Sequence, residues 1–230
     1  MGTKMQLLSL AAVVVVAGCT AKEAPPAADT AALSATPASN APNVVNFTTS
    51  EYKFEGPDQI PAGLTSFSIT DKGKELHHAT LIKLDSGKTV DDLMAAMKSM
   101  KPGSRPPGWM IPVGGPNASV PGGTSALTMV LEQGNYGIVC FIPDAKGVPH
   151  MMLGMSKGLT VTENANAVTT LPTSDITVTL KDYEFDLSAP LTAGKHTIRV
   201  ETAPGQPHEM VLVKLAPGKT ASDFTKYVES

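Results

Sequence analysis

The sequence predicts a mostly β fold, and two observations point to this class. Val, Ile and Thr recur in brief runs and not at the spacing of helical stripes. The 20 Gly and 19 Pro residues favour short elements joined by turns. Charge is nearly balanced, with 18 basic and 21 acidic residues among 230, which leaves no broad basic surface for nucleic acid. We therefore expect an all-β protein without a nucleic-acid partner.

The N-terminus predicts an export signal over residues 1–19. Lys4 precedes the apolar run LLSLAAVVVVAG, which is shorter than the roughly 20 residues of a membrane-spanning helix. The run ends in VAGC and resembles a bacterial lipobox, in which the cysteine is lipidated and becomes the mature N-terminus. The alternative is a cleaved secretory signal with an incidental cysteine. Both predict a protein outside the cytoplasm, in the periplasm or at the cell surface, and the lipobox implies a lipid anchor to the membrane at Cys19.

Residues 20–43 are rich in Ala, Pro, Ser and Thr and predict a disordered tether. Folded character begins near Val44. Runs of β-branched and aromatic residues then predict strands, bounded by turn-rich segments. The predicted strands are VVNFTTSEYKF, LTSFSIT, HHATLIKL, two strands within SALTMVLEQGNYGIVCFI, and SKGLTVTE.

One helix interrupts this series, over KTVDDLMAAMKSM. Thr89 is its predicted N-cap, with Asp92 three residues later. A long Pro/Gly-rich connection, residues 101–123, follows. Met94, Met97 and Met100 recur at three-residue spacing, and we favour an apolar stripe over a thioether patch for Cu(I). Met151 and Met152 flank a histidine further on, and for them we expect an apolar rim around a site.

The chain repeats itself. The segment from Tyr52 to the helix returns in shortened form from Tyr183, LIKL matches LVKL, and Thr89 and Asp92 match Thr220 and Asp223. Such repetition indicates a duplicated module. We place a first domain at residues 44–163 and an incomplete second copy at residues 174–230, without a counterpart of 101–163. Either the chain is truncated, which we favour, or the half-module is completed by the first domain or another chain.

The segment CFIPDAKGVPHMMLGM, residues 140–155, contains a thiol, an imidazole and thioethers. The other cysteine is Cys19, so lipidation would leave Cys140 without a disulfide partner. A lone thiol in an oxidising compartment is a liability unless it is buried or bound to a metal. Two imidazoles, a thiolate and a weak axial thioether form a mononuclear copper electron-transfer site. The alternative is that Cys140 is a small buried hydrophobe.

Several short motifs extend this pattern. They are GNYGIVC, with a tyrosine four residues before the cysteine, then CFIP, HMMLGM, the upstream GKELHHATLIKL and IPAGLTSFSIT. Over residues 44–163 the chain resembles the cupredoxins, the plastocyanin- and azurin-like type 1 blue copper proteins. The resemblance implies a Greek-key β-sandwich with a short inserted helix, and one type 1 copper ion.

The resemblance also implies roles for individual residues. Cys140 would supply the thiolate, His150 the second imidazole and Met155 the axial thioether. The first imidazole is His77 or His78, since neighbours on a strand face opposite ways. Aligning the two repeats through LIKL and LVKL favours His77. The nine residues between Cys140 and His150 exceed the gap in small cupredoxins and resemble the loop in the type 1 domain of copper nitrite reductases.

These expectations converge on a membrane-tethered one-electron carrier. It would be a non-enzyme with an unidentified redox partner protein and no small-molecule substrate. Two alternatives remain open: a copper-handling protein for storage or delivery, and a metal-free β-sandwich interaction module. A multicopper enzyme is disfavoured, because its further copper sites need more histidines than the five in this chain. No nucleophile–base set or Gly-rich phosphate loop suggests other catalysis.

Overall fold

A computed structural model describes residues 41–85, 87–101 and 103–228. The predicted signal peptide, Cys19 and most of the predicted tether lie outside these residues. The described residues belong to one compact unit. Within the described part of the chain, no helix is long and apolar enough to cross a membrane.

The described residues confirm the all-β prediction, with nine strands in the predicted first domain. They are β1 (Asn43–Ser50), β2 (Lys53–Glu55), β3 (Gln59–Pro61), β4 (Gly63–Asp71), β5 (Thr80–Leu84), β6 (Met110–Gly114), β7 (Thr124–Leu131), β8 (Gly134–Val139) and β9 (Ser156–Thr162). One sheet has the order β2-β1-β4-β7 and the other the order β3-β9-β8-β5-β6.

The core lies between these two sheets. Alternate residues of β1 and β4 are buried, as expected for strands with one face inward. Phe47 and Phe67 stack with ring centroids 4.9 Å apart. They share one buried cluster with Leu81, Ile138 and Leu159 of the opposite sheet. The two faces thus form the β-sandwich that the sequence predicted.

Four predictions about strands need correction. Residues 44–54 form a hairpin and not one strand, because β1 turns at residues 51–52 and pairs Ser50 with Lys53. Strands β3 and β6 occur in segments predicted to be turn-rich connections. Both contain proline and lie at sheet edges, where one side of the strand needs no ladder hydrogen bonds. His77 and His78 precede β5, and His77 forms only an isolated bridge with Ser119.

The predicted helix is α1 (Val90–Ser99), and its capping box is confirmed. Thr89 Oγ1 accepts from the Asp92 backbone N–H, while the Asp92 carboxylate accepts from the Thr89 backbone N–H. Met94 and Met97 pack on a buried cluster that includes Val139 and Met151. Met94 and Met97 therefore belong to the predicted apolar stripe. Met151 is itself only 2 % exposed, so the rim predicted for it is wrong: its side chain is core.

The C-terminal part contains β10 (Ile176–Lys181), β11 (Glu184–Leu187), β12 (Ile198–Thr202) and α2 (Ala221–Val228). Strand β10 pairs antiparallel with β11 and parallel with β12. This is the pattern in which β1 pairs with β2 and β4. The partial second copy stays a prediction, and the shared pairing pattern supports it.

Candidate metal centre

Strand β8 leads directly to Cys140. Tyr136 is buried on this strand, and its hydroxyl donates to the Glu132 carbonyl at 2.8 Å, which fixes the start of the strand. Cys140 follows the last strand residue, is fully buried and is a free thiol. Its backbone N–H donates to the Met155 carbonyl at 3.3 Å. The thiol is therefore held at a fixed position at the end of a core strand.

The loop between Cys140 and His150 closes on itself. The Asp144 carboxylate accepts from the backbone N–H groups of Lys146 and Val148, both at 2.8 Å. Nearer the base, the His150 N–H donates to Ile142 at 2.8 Å and the Met151 N–H donates to Cys140 at 2.9 Å. The nine residues thus form a small hairpin-like protrusion, and its length does not separate the thiol from the imidazole.

The two adjacent histidines have different environments. His77 is fully buried, and its Nδ1 lies 3.2 Å from Nδ1 of His150. The ring of His78 is directed elsewhere: its Nε2 accepts from the Phe141 backbone N–H at 2.8 Å, and its Nδ1 lies 3.2 Å from Thr80 Oγ1. The structure therefore brings His77, and not His78, beside His150.

Three donor atoms converge. His77, Cys140 and His150 each offer one ligand atom, all within 4.8 Å of one another, and all three residues are buried. The Cys140 sulfur lies 3.6 Å from His150 Nδ1. First-row metals bind nitrogen at about 2.0 Å and sulfur at about 2.3 Å. Two donors of one ion can therefore be at most about 4 Å apart, and the 3.2 and 3.6 Å separations satisfy this limit. The donor set fits a soft transition-metal ion.

Met155 lies next to this cluster. It is fully buried and belongs to the same core cluster as Cys140. Its backbone N–H donates to the His150 carbonyl at 3.0 Å. Gly154 precedes it with φ +110°, a conformation that favours glycine, and a Cβ there would meet no atom within 4 Å. Gly154 thus serves the turn that returns the chain to the cluster, and the axial role of Met155 stays a prediction.

Burial shifts the pKa of Cys140 and of His77. Desolvation raises the pKa of the Cys140 thiol, although the backbone amides of His78 and Ile142 hydrogen-bond to the sulfur and act in the opposite direction. Desolvation also lowers the pKa of His77, which favours the neutral imidazole that binds metals. For His78 the same cause lowers the pKa to about 4. Metal binding would therefore have to displace a proton from Cys140.

Sequence reasoning missed the residues behind the imidazoles. Nε2 of His150 lies 2.9 Å from a Glu75 carboxylate oxygen, and Nε2 of His77 lies 3.9 Å from Glu51. Tyr52 packs on the His150 ring, with centroids 4.9 Å apart. The Glu75 contact has no local sequence signal, because residues 73–75 form a bend after β4 and the histidine that Glu75 contacts lies in a distant loop.

No protein-family model matches this chain, and no curated protein matches it. Among solved structures, it is similar to a reduced auracyanin from the photosynthetic bacterium Roseiflexus castenholzii, at 16 % identity and a TM-score of 0.37, over 53 % of this chain and 98 % of that one. It is also similar to auracyanin A, a "blue" copper protein from Chloroflexus aurantiacus, at 17 % identity and a TM-score of 0.37, over 53 % of this chain and all of that one.

A weaker similarity is to a chain of a heme-copper terminal oxidase dimer, at 14 % identity and a TM-score of 0.29, covering 54 % of this chain and 67 % of that one. At these identities the likeness concerns the fold alone, and at these scores it carries no functional argument. Any function must be argued from this chain's own residues.

Proposed function

We propose that this protein is a one-electron carrier that binds one type 1 copper ion through His77, Cys140, His150 and Met155. One observation carries the proposal: one ring nitrogen each of His77 and His150 and the Cys140 sulfur, all buried, lie within 4.8 Å of one another. Copper bound there would gain and lose one electron between Cu(II) and Cu(I), exchanged with a redox protein that has its own one-electron centre. Electron transfer needs no bound substrate, so the proposal includes no enzymatic step.

The surrounding residues suit this task because they keep the donors in place. Cys140 is fixed by the backbone hydrogen bonds to Met155 and Met151, and His150 is fixed by those to Ile142 and Met155. Such restraint limits ligand movement when the charge of a bound ion changes. The buried cluster around the thiol also excludes water, which is a means of tuning a redox potential.

Burial of the three donors favours an electron carrier over a copper-delivery protein. An ion handed to a partner must exchange ligands, so an incoming donor has to reach it. Here His77, Cys140 and His150 are each fully buried. An electron needs no such opening, and the route from His150 to solvent through the half-buried Tyr52 is short. We further propose that the carrier works outside the cytoplasm and is lipid-anchored at Cys19, as the lipobox implies.

The experiment that tests this proposal follows one copper ion through a redox cycle. The full chain is loaded with one equivalent of Cu(II), reduced by one electron, passed over a desalting column and reoxidised. We expect reversible one-electron behaviour with the copper retained throughout. Loss of copper on reduction would instead identify a handling protein. Failure to bind copper with Cys140 reduced would leave a metal-free sandwich, and the proposal would be wrong.

A further inference from the structure

The His150 ring is contacted on both of its nitrogens. Nδ1 faces the Cys140 sulfur and the Nδ1 of His77, at 3.6 and 3.2 Å. Nε2 faces a Glu75 carboxylate oxygen at 2.9 Å, which is the distance of a charge-assisted hydrogen bond. The oxygen lies off the N–H direction, since Nε2 meets no hydrogen-bond criterion. The Glu75 side chain is 36 % exposed, so the packing around it leaves it room to turn.

The chain holds Glu75 in this place. The Glu51 carboxylate accepts from the backbone N–H groups of Lys74 and Glu75, and the Asp71 carboxylate accepts from Gly73 at 2.8 Å. The hydrogen bond from Lys74 is the main cause that lowers the pKa of Glu51. Tyr52 closes the arrangement, with its ring against His150 and its hydroxyl 3.4 Å from Glu75.

We propose that Glu75 is a positioning residue that accepts the Nε2–H of His150 and thereby presents Nδ1 to the metal. A carboxylate on the distal nitrogen of a ligating histidine fixes the tautomer and makes the imidazole a stronger donor. A stronger donor stabilises Cu(II) more than Cu(I), so Glu75 holds the reduction potential down. No proton leaves the ring. This inference rests on the proposed copper site for its redox consequence, but not for the tautomer.

The contacts also set the tautomers of the metal-free protein. At 3.2 Å, the two facing Nδ1 atoms share at most one proton. If His150 carries its proton on Nε2, its Nδ1 accepts and His77 carries Nδ1–H. A buried Nε2–H without Glu75 would have no acceptor, and an unpaired buried donor is unfavourable. Removing the carboxylate should therefore move the His150 proton towards Nδ1.

Three variants of the full chain separate hydrogen bonding from charge. Glu75→Leu removes acceptor and charge, and Glu75→Gln keeps an acceptor oxygen but removes the charge. Glu51→Gln is the matched control, because it removes the same charge near the other imidazole, where the distance is 3.9 Å, and keeps an oxygen for the backbone amides. The first readout is 15N NMR of the histidine rings in metal-free protein, and the second is the potential after loading with copper.

In metal-free wild type and Glu51→Gln we expect His150 as the Nε2–H tautomer, and in Glu75→Leu a mixture with Nδ1–H. With copper, Glu75→Leu should weaken the binding of Cu(II) at least tenfold relative to that of Cu(I). This corresponds to an upward shift of the reduction potential by about 59 mV for one electron. Glu51→Gln should shift the reduction potential by less than Glu75→Leu does. An unchanged His150 tautomer in Glu75→Leu would overturn the inference. Equal shifts of the potential in Glu75→Leu and Glu51→Gln would also overturn it. A wild type that binds no copper refutes the proposed function, while the NMR result still decides the role of Glu75.

Discussion

His78 Nε2 accepts a hydrogen bond from the backbone N–H of Phe141 at 2.8 Å. This bond links the segment that carries His77 to the segment that carries Cys140. His77, its neighbour, is directed to the opposite side, with Nδ1 3.2 Å from His150. The two adjacent histidines therefore have different roles. One is placed as a donor for a metal, and the other holds together the two segments that supply the donors.

Alanine at either histidine should separate these roles. We expect His77→Ala to reduce Cu(II) affinity by more than the 10–100-fold typical of residues behind the ligands. His78→Ala should keep the copper colour but lower the free energy of unfolding by about 1 kcal/mol, because the Phe141 amide loses its partner. Visible titration and denaturant unfolding measure the two effects. Retained colour in His77→Ala with loss in His78→Ala would reverse the assignment.

Asp144 should determine whether the long loop stays closed. Hydrogen bonds from the Val148 and then the Lys146 amides outweigh desolvation and lower the pKa of this carboxyl from its ordinary 3.8. The stabilisation from the ionised form is therefore complete above the unfolded-state value and is lost as the pH falls through the lower folded-state value.

Asp144→Ala removes the acceptor, so we expect faster copper release at neutral pH, measured by transfer to a chelator. Asp144→Asn keeps one acceptor oxygen, so its rate of copper release should lie between those of wild type and Asp144→Ala. Wild type should approach the alanine rate only well below pH 4. Equal release rates for all three proteins at neutral pH would show that the loop is held closed without this carboxylate.

The helix contact with the sheet gives a stability prediction with an internal control. Gly137 and Gly158 are paired across β8 and β9 beneath α1. A Cβ on Gly137 would lie 2.4 Å from the buried Leu93, whereas one on Gly158 would make an ordinary 3.5 Å contact with Val90. Gly137→Ala should destabilise the protein by about 1–3 kcal/mol in urea unfolding. Gly158→Ala should lower the free energy of unfolding by clearly less. Equal losses in the two variants would show that the Leu93 contact is not the reason for the destabilisation by Gly137→Ala.

Met155→Leu tests the axial position. Leucine conserves volume in the core cluster, so we expect a cost of less than about 1.5 kcal/mol in unfolding. The thiolate–copper colour should persist, because a thioether is the weak ligand of such a site, while the potential rises. Potentiometry checks this. An unchanged potential at full copper loading would show that the Met155 sulfur does not contact the ion.

Local patterns explain why much of the fold was predictable. The Thr89–Asp92 capping box depends on residues three apart, and the alternation of β4 depends on a single strand, so both could be inferred from the sequence. Strands β3 and β6 could not, because their pairing depends on partners distant in the chain and their prolines point to turns. The candidate donors could be proposed from the sequence, because the resemblance rests on short motifs that contain them. The Glu75 contact could not be predicted, because it depends on how the loop after β4 is folded.

We expect Cys140 to bind copper as a thiolate, and a titration with Cu(II) measures this binding. Reduced full-length protein receives Cu(II) up to one equivalent while the visible spectrum is recorded, beside Cys140→Ser. We expect an intense blue thiolate-to-copper band that saturates at one equivalent in wild type and is absent from the serine variant. No band in wild type with intact thiol, or the same band in Cys140→Ser, would contradict it.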